Sequence, residues 1–315
     1  MSLNIAIIGY ESGFGEELLN GLEDSGINVN QLYLIGDSSD EDEVSVRFHQ
    51  KTIYVQPTDS FNWKQAHTVV LMENQSIEIP VDFEGHIIDL RSSEKNTDWQ
   101  LISTSGQLES KHVCIVDDLT NLLSKLIQPF LNETVIDALN TVALVPVTYQ
   151  NSKGSEFLAR EIGQLMNGRP LETHAFGTQQ AFNLIPKKDE TVIFDELNQL
   201  FPKETLSGAV TYIQSPVFFG SMLTVDLHFE DELEPEEIKS YLSQIEGIEL
   251  TDEILTPVTH GSDKTVTFMS YFIEDKRSVN QVRLLLISDL RKNGRVQTAI
   301  HLLQQIEANQ TGLTH

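Results

Sequence analysis

Residues 4–36 read NIAIIGYESGFGEELLNGLEDSGINVNQLYLIG, and the order of signals in that stretch decides the fold. Residues 4–8, NIAII, form a nearly continuous apolar run, as a strand buried on both faces requires. A glycine-containing turn follows, from Gly9 to Gly15. Leu18, Leu19 and Leu22 then share one helical face, and Gly26 marks the helix end. Residues 31–36, QLYLIG, read as a second strand. Strand, glycine turn, helix and strand in that order open a βαβ unit.

Outward from this unit, residues 44–48, 52–55, 68–72, 86–90 and 112–116 are further strand candidates, and 119–131 has helical spacing. The leading expectation is an α/β, Rossmann-like, doubly wound parallel sheet. Beyond residue 132 the pattern changes. Residues 140–148 read as a strand and 154–166 as a helix with Phe157, Leu158, Ile162 and Leu165 inward. Alternating runs at 209–213, 223–229, 266–273 and 282–288 look antiparallel, with a helix at 235–244. This half reads as an α+β domain with a broad, mostly antiparallel sheet. A last helix over 295–307 carries Val296, Ala299, Ile300, Leu303 and Ile306 on one stripe and is expected to return to the first domain. The expected domains are therefore 1–131 with 289–315, and 132–288.

The 315-residue chain carries 47 acidic and 21 basic residues, a net charge of −26. Such a surface repels phosphate backbones and anionic lipid, which argues against nucleic-acid or membrane partners. One cysteine, Cys114, cannot form an internal disulfide, so a reducing cytoplasm is the expected home. The N-terminal residues show no cationic leader, and no apolar run approaches the roughly 20 residues of a membrane span.

The turn of Gly9, Ser12, Gly13, Phe14 and Gly15 sits where a dinucleotide pyrophosphate rests on a helix N-terminus. Glu11, Glu16 and Glu17 compete with phosphate for that helix dipole, so a purely structural turn is the other reading. Asp37 lies 22 residues beyond Gly15, where an acidic residue holds ribose hydroxyls. Residues 40–43, DEDE, would repel a 2′-phosphate, so any dinucleotide is NAD rather than NADP. The alternative for Asp37 is a solvated acidic loop. Cys114, inside HVCIV, reads as a structural thiol. The nine histidines show no metal-ligand spacing, and no metal is expected. Residues 148–152, TYQNS, either line a ligand crevice or cap the next helix through Asn151 or Ser152.

Seven segments in order, IAIIGYESGFGEELL (5–19), IIDLRSSEKN (87–96), PVTYQNSKG (146–154), AFNLIP (181–186), YIQSPVFFGS (212–221), TPVTHGSD (256–263) and SDLRKNG (288–294), resemble the aspartate-β-semialdehyde dehydrogenase family. The resemblance covers nearly the whole chain. It implies an NAD(P)-linked aldehyde oxidoreductase fold from amino-acid biosynthesis, dimeric through the second domain's sheet. That family uses a cysteine nucleophile, a histidine acid–base, an arginine for the substrate carboxylate and an orienting glutamine. With the register anchored on Pro129, the nucleophile position falls at or beside Asp118, the arginine on Gln214 and the histidine on Ser221. The glutamine is kept as Gln150, and Lys95 stands for a phosphate-contacting arginine, so Lys95 and Gln150 mark the substrate-type pocket. Glu11 and Ser12 replace the family's Thr and Gly.

A carboxylate is a poor substitute for a thiolate, and a serine hydroxyl does not shuttle protons near neutral pH. An amide offers no charge to a substrate carboxylate. The sequence thus points to a homodimer without an intact catalytic set, needing no cofactor, with a small metabolite or a protein as partner. The alternative is an NAD-linked aldehyde oxidoreductase with an altered site around Gln150, Asp118 and Lys95.

Overall fold

The computed structural model describes residues 2–10, 14–36, 45–72, 79–91, 98–149, 153–171, 177–187, 192–262, 264–272 and 280–311. The chain divides into two compact units, Met1–Asp117 with Gly294–His315, and Asp118–Asn293.

The first unit runs β1 (Leu3–Ile8), α1 (Gly15–Asp24), β2 (Val29–Gly36), β3 (Ser45–Phe48), β4 (Lys51–Pro57), β5 (Thr68–Leu71), β6 (His86–Asp89), β7 (Gln100–Ile102) and β8 (His112–Ile115), and ends with a C-terminal helix, Arg295–Thr311. Its eight strands lie in the order β3-β4-β2-β1-β5-β6-β8-β7. All neighbours are parallel except β3 and β4. Those two form a hairpin whose turn residues, His49 and Gln50, both have positive φ (45° and 65°), as a two-residue turn matched to strand twist demands. β1 is the pivot: Ile5 sits opposite both Leu32 and Thr68, and the strand order reverses between β1 and β5.

The two faces of this sheet are covered differently. Leu3, Ile5, Ile7, Leu34, Val70 and Ile88 pack under Leu18 and Leu22 of α1 and under Val296, Ala299, Ile300, Leu303 and Ile306 of the C-terminal helix. Leu18 and Leu22 are fully buried, each worth about 1.5–3 kcal/mol. The stripe expected on the last helix is therefore core. On the opposite face, Ala6, Ile8, Val69, Leu71 and Ile87 pack with Phe61, Ala66, Trp63, Phe83 and Trp99. Short 3₁₀ turns at Thr58–Ser60 and Trp63–Gln65 lie in this layer's sequence. Aromatic rings take the place of helices there among the described residues.

In the second unit come α2 (Asp118–Ile127), β9 (Ile136–Val145), α3 (Gly154–Met166), β10 (Ile185–Pro186), α4 (Val192–Leu200), β11 (Gly208–Gln214), β12 (Ser221–Phe229), α5 (Pro235–Ser243), β13 (Ile248–Leu250), α6 (Pro257–His260), β14 (Thr267–Phe272), β15 (Gln281–Ser288) and α7 (Leu290–Asn293). The sheet order is β10-β11-β9-β12-β15-β14-β13. It is mostly antiparallel, but β11 runs parallel to β9 and β13 parallel to β14. The run at 209–213 is thus not antiparallel to its neighbour β9. The long connection carrying α3 and α4 returns the chain to the same end before β11 begins, as parallel pairing requires.

The unit boundary falls before α2 rather than after residue 131. Leu119, Leu122, Leu123 and Leu126 of α2 belong to the second unit's core, with Leu139, Leu197, Leu223 and Leu284. Likewise α7 stays with the second unit, so its far boundary lies after Asn293 rather than 288. Along β12, buried Leu223, Val225 and Leu227 alternate with half-exposed Met222, Thr224, Asp226 and His228. One face of this sheet is core. On the other, Arg283 Nε donates to Asp226 Oδ1 across strands at 2.6 Å.

Candidate functional site

The glycine turn leaves β1 at the carboxyl edge of the first sheet, at the reversal of strand order, where open α/β sheets bind ligands. Gly9 has φ +77°, a conformation that costs side-chain-bearing residues. A Cβ on Gly15 would lie 1.8 Å from the Tyr10 carbonyl oxygen, so only glycine lets α1 start this close to the turn. Phe14 precedes α1 and is buried. The Arg295 guanidinium lies 4.9 Å from the Phe14 ring centre, and its Nη1 donates to the Leu90 carbonyl at 2.9 Å. Arg295 is itself buried and so braces the turn rather than facing a ligand. Glu16 and Glu17 fill the first turn of α1 and complement its dipole. Ser12, Gly13, Glu11 and Asp37 lie outside the described residues. The two described glycines let the chain turn tightly into α1, whose first turn carries two carboxylates.

Next along the same edge, β6 ends on Asp89, which is fully buried. Arg91 Nε and Nη2 donate to its two carboxylate oxygens at 3.0 and 2.8 Å, and the Arg91 backbone N–H donates to Oδ1 at 2.9 Å. Sequence reasoning missed this bidentate pair. Its signal is an Asp-x-Arg step at the end of an apolar strand. Lys95 lies outside the described residues. Cys114 is 2% exposed and in register with Asp89 across β6 and β8. Its neighbours Val113 and Ile115 face the α1 side, so strand alternation puts the thiol on the opposite, aromatic-covered face.

The other candidate positions belong to the second unit. Asp118 is the first residue of α2 and fully buried. Gln214 ends β11 at 5% exposure, and its Nε2 donates to Gln180 Oε1 at 2.6 Å. Gln180 is itself buried: its Nε2 donates to the Thr178 carbonyl, and its backbone N–H donates to Glu161 Oε2 at 2.7 Å. The Ala181 N–H donates to the same Glu161 oxygen at 2.9 Å. A buried carboxylate on α3 thus anchors the strap that holds Gln214. Glu161 and Gln180 were not singled out from sequence; the legible hint was an acid within the apolar stripe of α3.

Ser221 begins β12, buried, and is in register with Ser288 of β15. Ser288 Oγ lies 2.8 Å from Thr267 Oγ1 and accepts from Asn293 Nδ2 at 3.1 Å. Gln214 and Ser221 flank one short connection, pinned by Ser215 Oγ donating to the Val145 carbonyl and by Thr148 Oγ1 donating to the Phe218 carbonyl. The fold therefore brings these two positions together at one end of the second sheet. Gln150, Asn151 and Ser152 lie outside the described residues; the residue preceding α3 is Lys153, with no side-chain cap. Chemically, Gln214 and Ser221 offer neutral hydrogen bonds, without fixed charge or a proton carrier active near pH 7. Among the described residues no three His, Cys, Asp or Glu side chains gather to hold a metal, and no helix is long and apolar enough to cross a membrane.

No family model matches the chain. Aspartate-semialdehyde dehydrogenase 2 of Vibrio cholerae is 22% identical over 96% of this chain and 96% of its own. A USG-1 protein homolog of Pseudomonas aeruginosa is 24% identical over 95% and 96%. The crystal structure of aspartate semialdehyde dehydrogenase II from Vibrio cholerae superposes with a TM-score of 0.87 at 22% identity, covering 97% of this chain and 99% of that one. A probable aspartate-semialdehyde dehydrogenase from Pseudomonas aeruginosa gives 0.85 at 22%, over 97% and 98%.

Proposed function

We propose that this chain, a divergent relative of the aspartate-semialdehyde dehydrogenases along nearly its whole length, keeps their architecture but not their reaction, and acts as a homodimeric binding or regulatory protein. The observation that carries this reading is the identity of three buried positions. The resemblance places the nucleophile at or beside Asp118, the carboxylate-binding arginine on Gln214 and the acid–base histidine on Ser221. Acyl transfer followed by hydride exchange needs a thiolate that attacks and then leaves. The only thiol, Cys114, is enclosed within a strand. Gln214 spends an amide hydrogen on Gln180 and has no charge to pair with a substrate carboxylate.

The reading is tested by assaying purified protein with aspartate semialdehyde, NAD or NADP, and phosphate, beside a catalytically intact family enzyme. Loss of nucleophile and acid–base together predicts turnover lower by at least about 10⁴-fold. Turnover within tenfold of the reference enzyme sinks it.

A second reading, an NAD-linked aldehyde oxidoreductase centred on Gln150, Asp118 and Lys95, is favoured by the Gly9 and Gly15 geometry alone. In the leading reading, carboxylates at Glu11, Glu16 and Glu17 oppose dinucleotide phosphate, and no cofactor is needed. Calorimetry with NAD separates the two: saturable binding to the parent protein favours the second. Glu11→Thr removes one of these charges and is expected to strengthen NAD binding.

The homodimer is supported by the outer face of the second sheet. There half-exposed Met222 and Thr224 lie opposite Leu144, Val142 and Leu285, a surface that suits a partner more than water. Light scattering is expected to give twice the 35.5 kDa chain mass. The same reading keeps the protein in a reducing cytoplasm, and its charge of −26 leaves small metabolites or proteins as partners.

A further inference from the structure

The first unit holds a cavity of about 940 Å³ that none of the described candidate positions lines. His67 immediately precedes β5, His86 begins β6 and Lys111 immediately precedes β8, so the cavity opens at the amino edge of the parallel sheet, opposite the glycine turn. Its volume falls within the range of small-molecule sites.

One wall is aromatic. Phe61, Trp63 and Phe83 all line the cavity, Phe61 buried and the other two half-buried. The rings meet edge to face, Phe61 to Trp63 at 5.4 Å and Trp63 to Phe83 at 6.2 Å, which holds both flat surfaces in place. Gly85 makes the arrangement possible. A Cβ there would fall 2.4 Å from the Phe83 ring and 2.5 Å from the His67 carbonyl oxygen. The aromatic wall is therefore built into the backbone path.

The rim is polar: Lys64 and Lys111 line it with two imidazoles, His67 and His86, in a protein with 21 lysines and arginines against 47 acidic residues. Lys111 Nζ donates one hydrogen to the Glu84 carbonyl at 2.9 Å, and two remain. His67 Nδ1 accepts from the Asn4 backbone N–H at 3.3 Å, so the proton of neutral His67 sits on Nε2. The His86 backbone N–H donates to the His67 carbonyl at 3.0 Å. Asp82 and Glu84 also line the cavity and offset the two lysines. Near-balanced charge suits a singly charged carboxylate, with or without an ammonium group, rather than a phosphate dianion.

We propose that the amino-edge cavity is a ligand site for a small aromatic carboxylic acid, its ring against Trp63 and Phe83 and its carboxylate between Lys64 and Lys111. A carboxylate receives charge-assisted hydrogen bonds from ammonium groups, and a flat ring covers aromatic surface otherwise left to water. The site is independent of the glycine turn and of whether any dinucleotide binds there.

The test titrates phenylacetate and L-phenylalanine separately into the full-length protein by calorimetry, with parallel NMR spectra. A ligand of about ten heavy atoms is expected to bind in the millimolar range or tighter. The double substitution Lys64→Gln with Lys111→Gln is expected to weaken binding at least about tenfold while the melting temperature stays close to the parent's. Amide shifts should gather at Gly85, His86 and Lys111. Binding of phenylacetate alone, or of both acids, supports an aromatic carboxylate site. Binding of L-phenylalanine alone supports it too and brings Asp82 and Glu84 into recognition of the ammonium group. Absence of binding by both acids at about 10 mM, undiminished binding to the double variant, or shifts centred on Gly9 and Phe14 would each overturn the proposal.

Discussion

The two edges of the eight-stranded sheet are built on opposite plans. At the carboxyl edge the described polar groups are engaged by the protein itself: buried Asp89 is clamped by Arg91, buried Arg295 meets Leu90 and Phe14, and the acidic Glu16 and Glu17 lie in the first turn of α1. At the amino edge, aromatic rings and cations border a cavity and keep surface to spare. The carboxyl edge is where open α/β sheets normally recruit ligands. In this chain the described groups there serve the protein's own structure. The proposed amino-edge site, if it takes its ligand, separates fold from ligand site in this chain.

The largest expected effect is at the carboxyl edge. Asp89→Ala leaves the Arg91 guanidinium without its bidentate partner beside a buried strand end. It should cost about 3–5 kcal/mol in urea unfolding, as when one member of a buried pair is removed. A loss under about 1 kcal/mol would show that the pair does not hold this edge. Trp63→Ala sharpens the comparison from the other side. Its ring is only half-buried, so the expected cost is about 1–2 kcal/mol, below that of a fully enclosed aromatic. Should it match the Asp89→Ala cost, the amino edge is core and the contrast fails.

The smallest effect is a titration. Burial, then the charges of Lys111 and His112, hold the His86 pKa below the usual 6.5. Folding therefore prefers the neutral imidazole. The unfolded state binds more protons between the folded and unfolded pKa values, so stability falls as pH drops from about 6.5 through the folded midpoint. NMR should place the His86 midpoint below 6.5, and Lys111→Gln should move it upward by removing one cause. A midpoint unmoved by that substitution would separate Lys111 from the imidazole and weaken the picture of a shared cationic rim.

Much of the first unit was legible because its signals are local. The apolar run of β1, the spacing of Leu18, Leu19 and Leu22, and the stripe from Val296 to Ile306 each act within a few turns of chain. The edge strand β7 escaped because only Ile102 of its three residues is buried, leaving little pattern. The aromatic layer escaped because Phe61, Trp63, Phe83 and Trp99 follow no helical or strand period. In the second unit, strand β11 was found but not its parallel direction, since direction depends on where α3 and α4 carry the chain. The candidate positions Asp118, Gln214 and Ser221 were readable only by alignment of motifs. Their burial, and the Glu161–Gln180–Gln214 network joining α3, a strap and β11, were not.

By itself the amino-acid order determined most of the strands and helices of the first unit, the acid-rich composition, and the presence of a single thiol in the chain. These follow from residue identity and short-range periodicity, which chain connectivity enforces directly. Tertiary structure alone decided strand order, the unit to which α2 belongs, and the gathering of residues 63, 83 and 111 around one cavity. Such features depend on which distant surfaces bury each other, a choice made by the free energy of the whole packed chain and written in no single stretch of it.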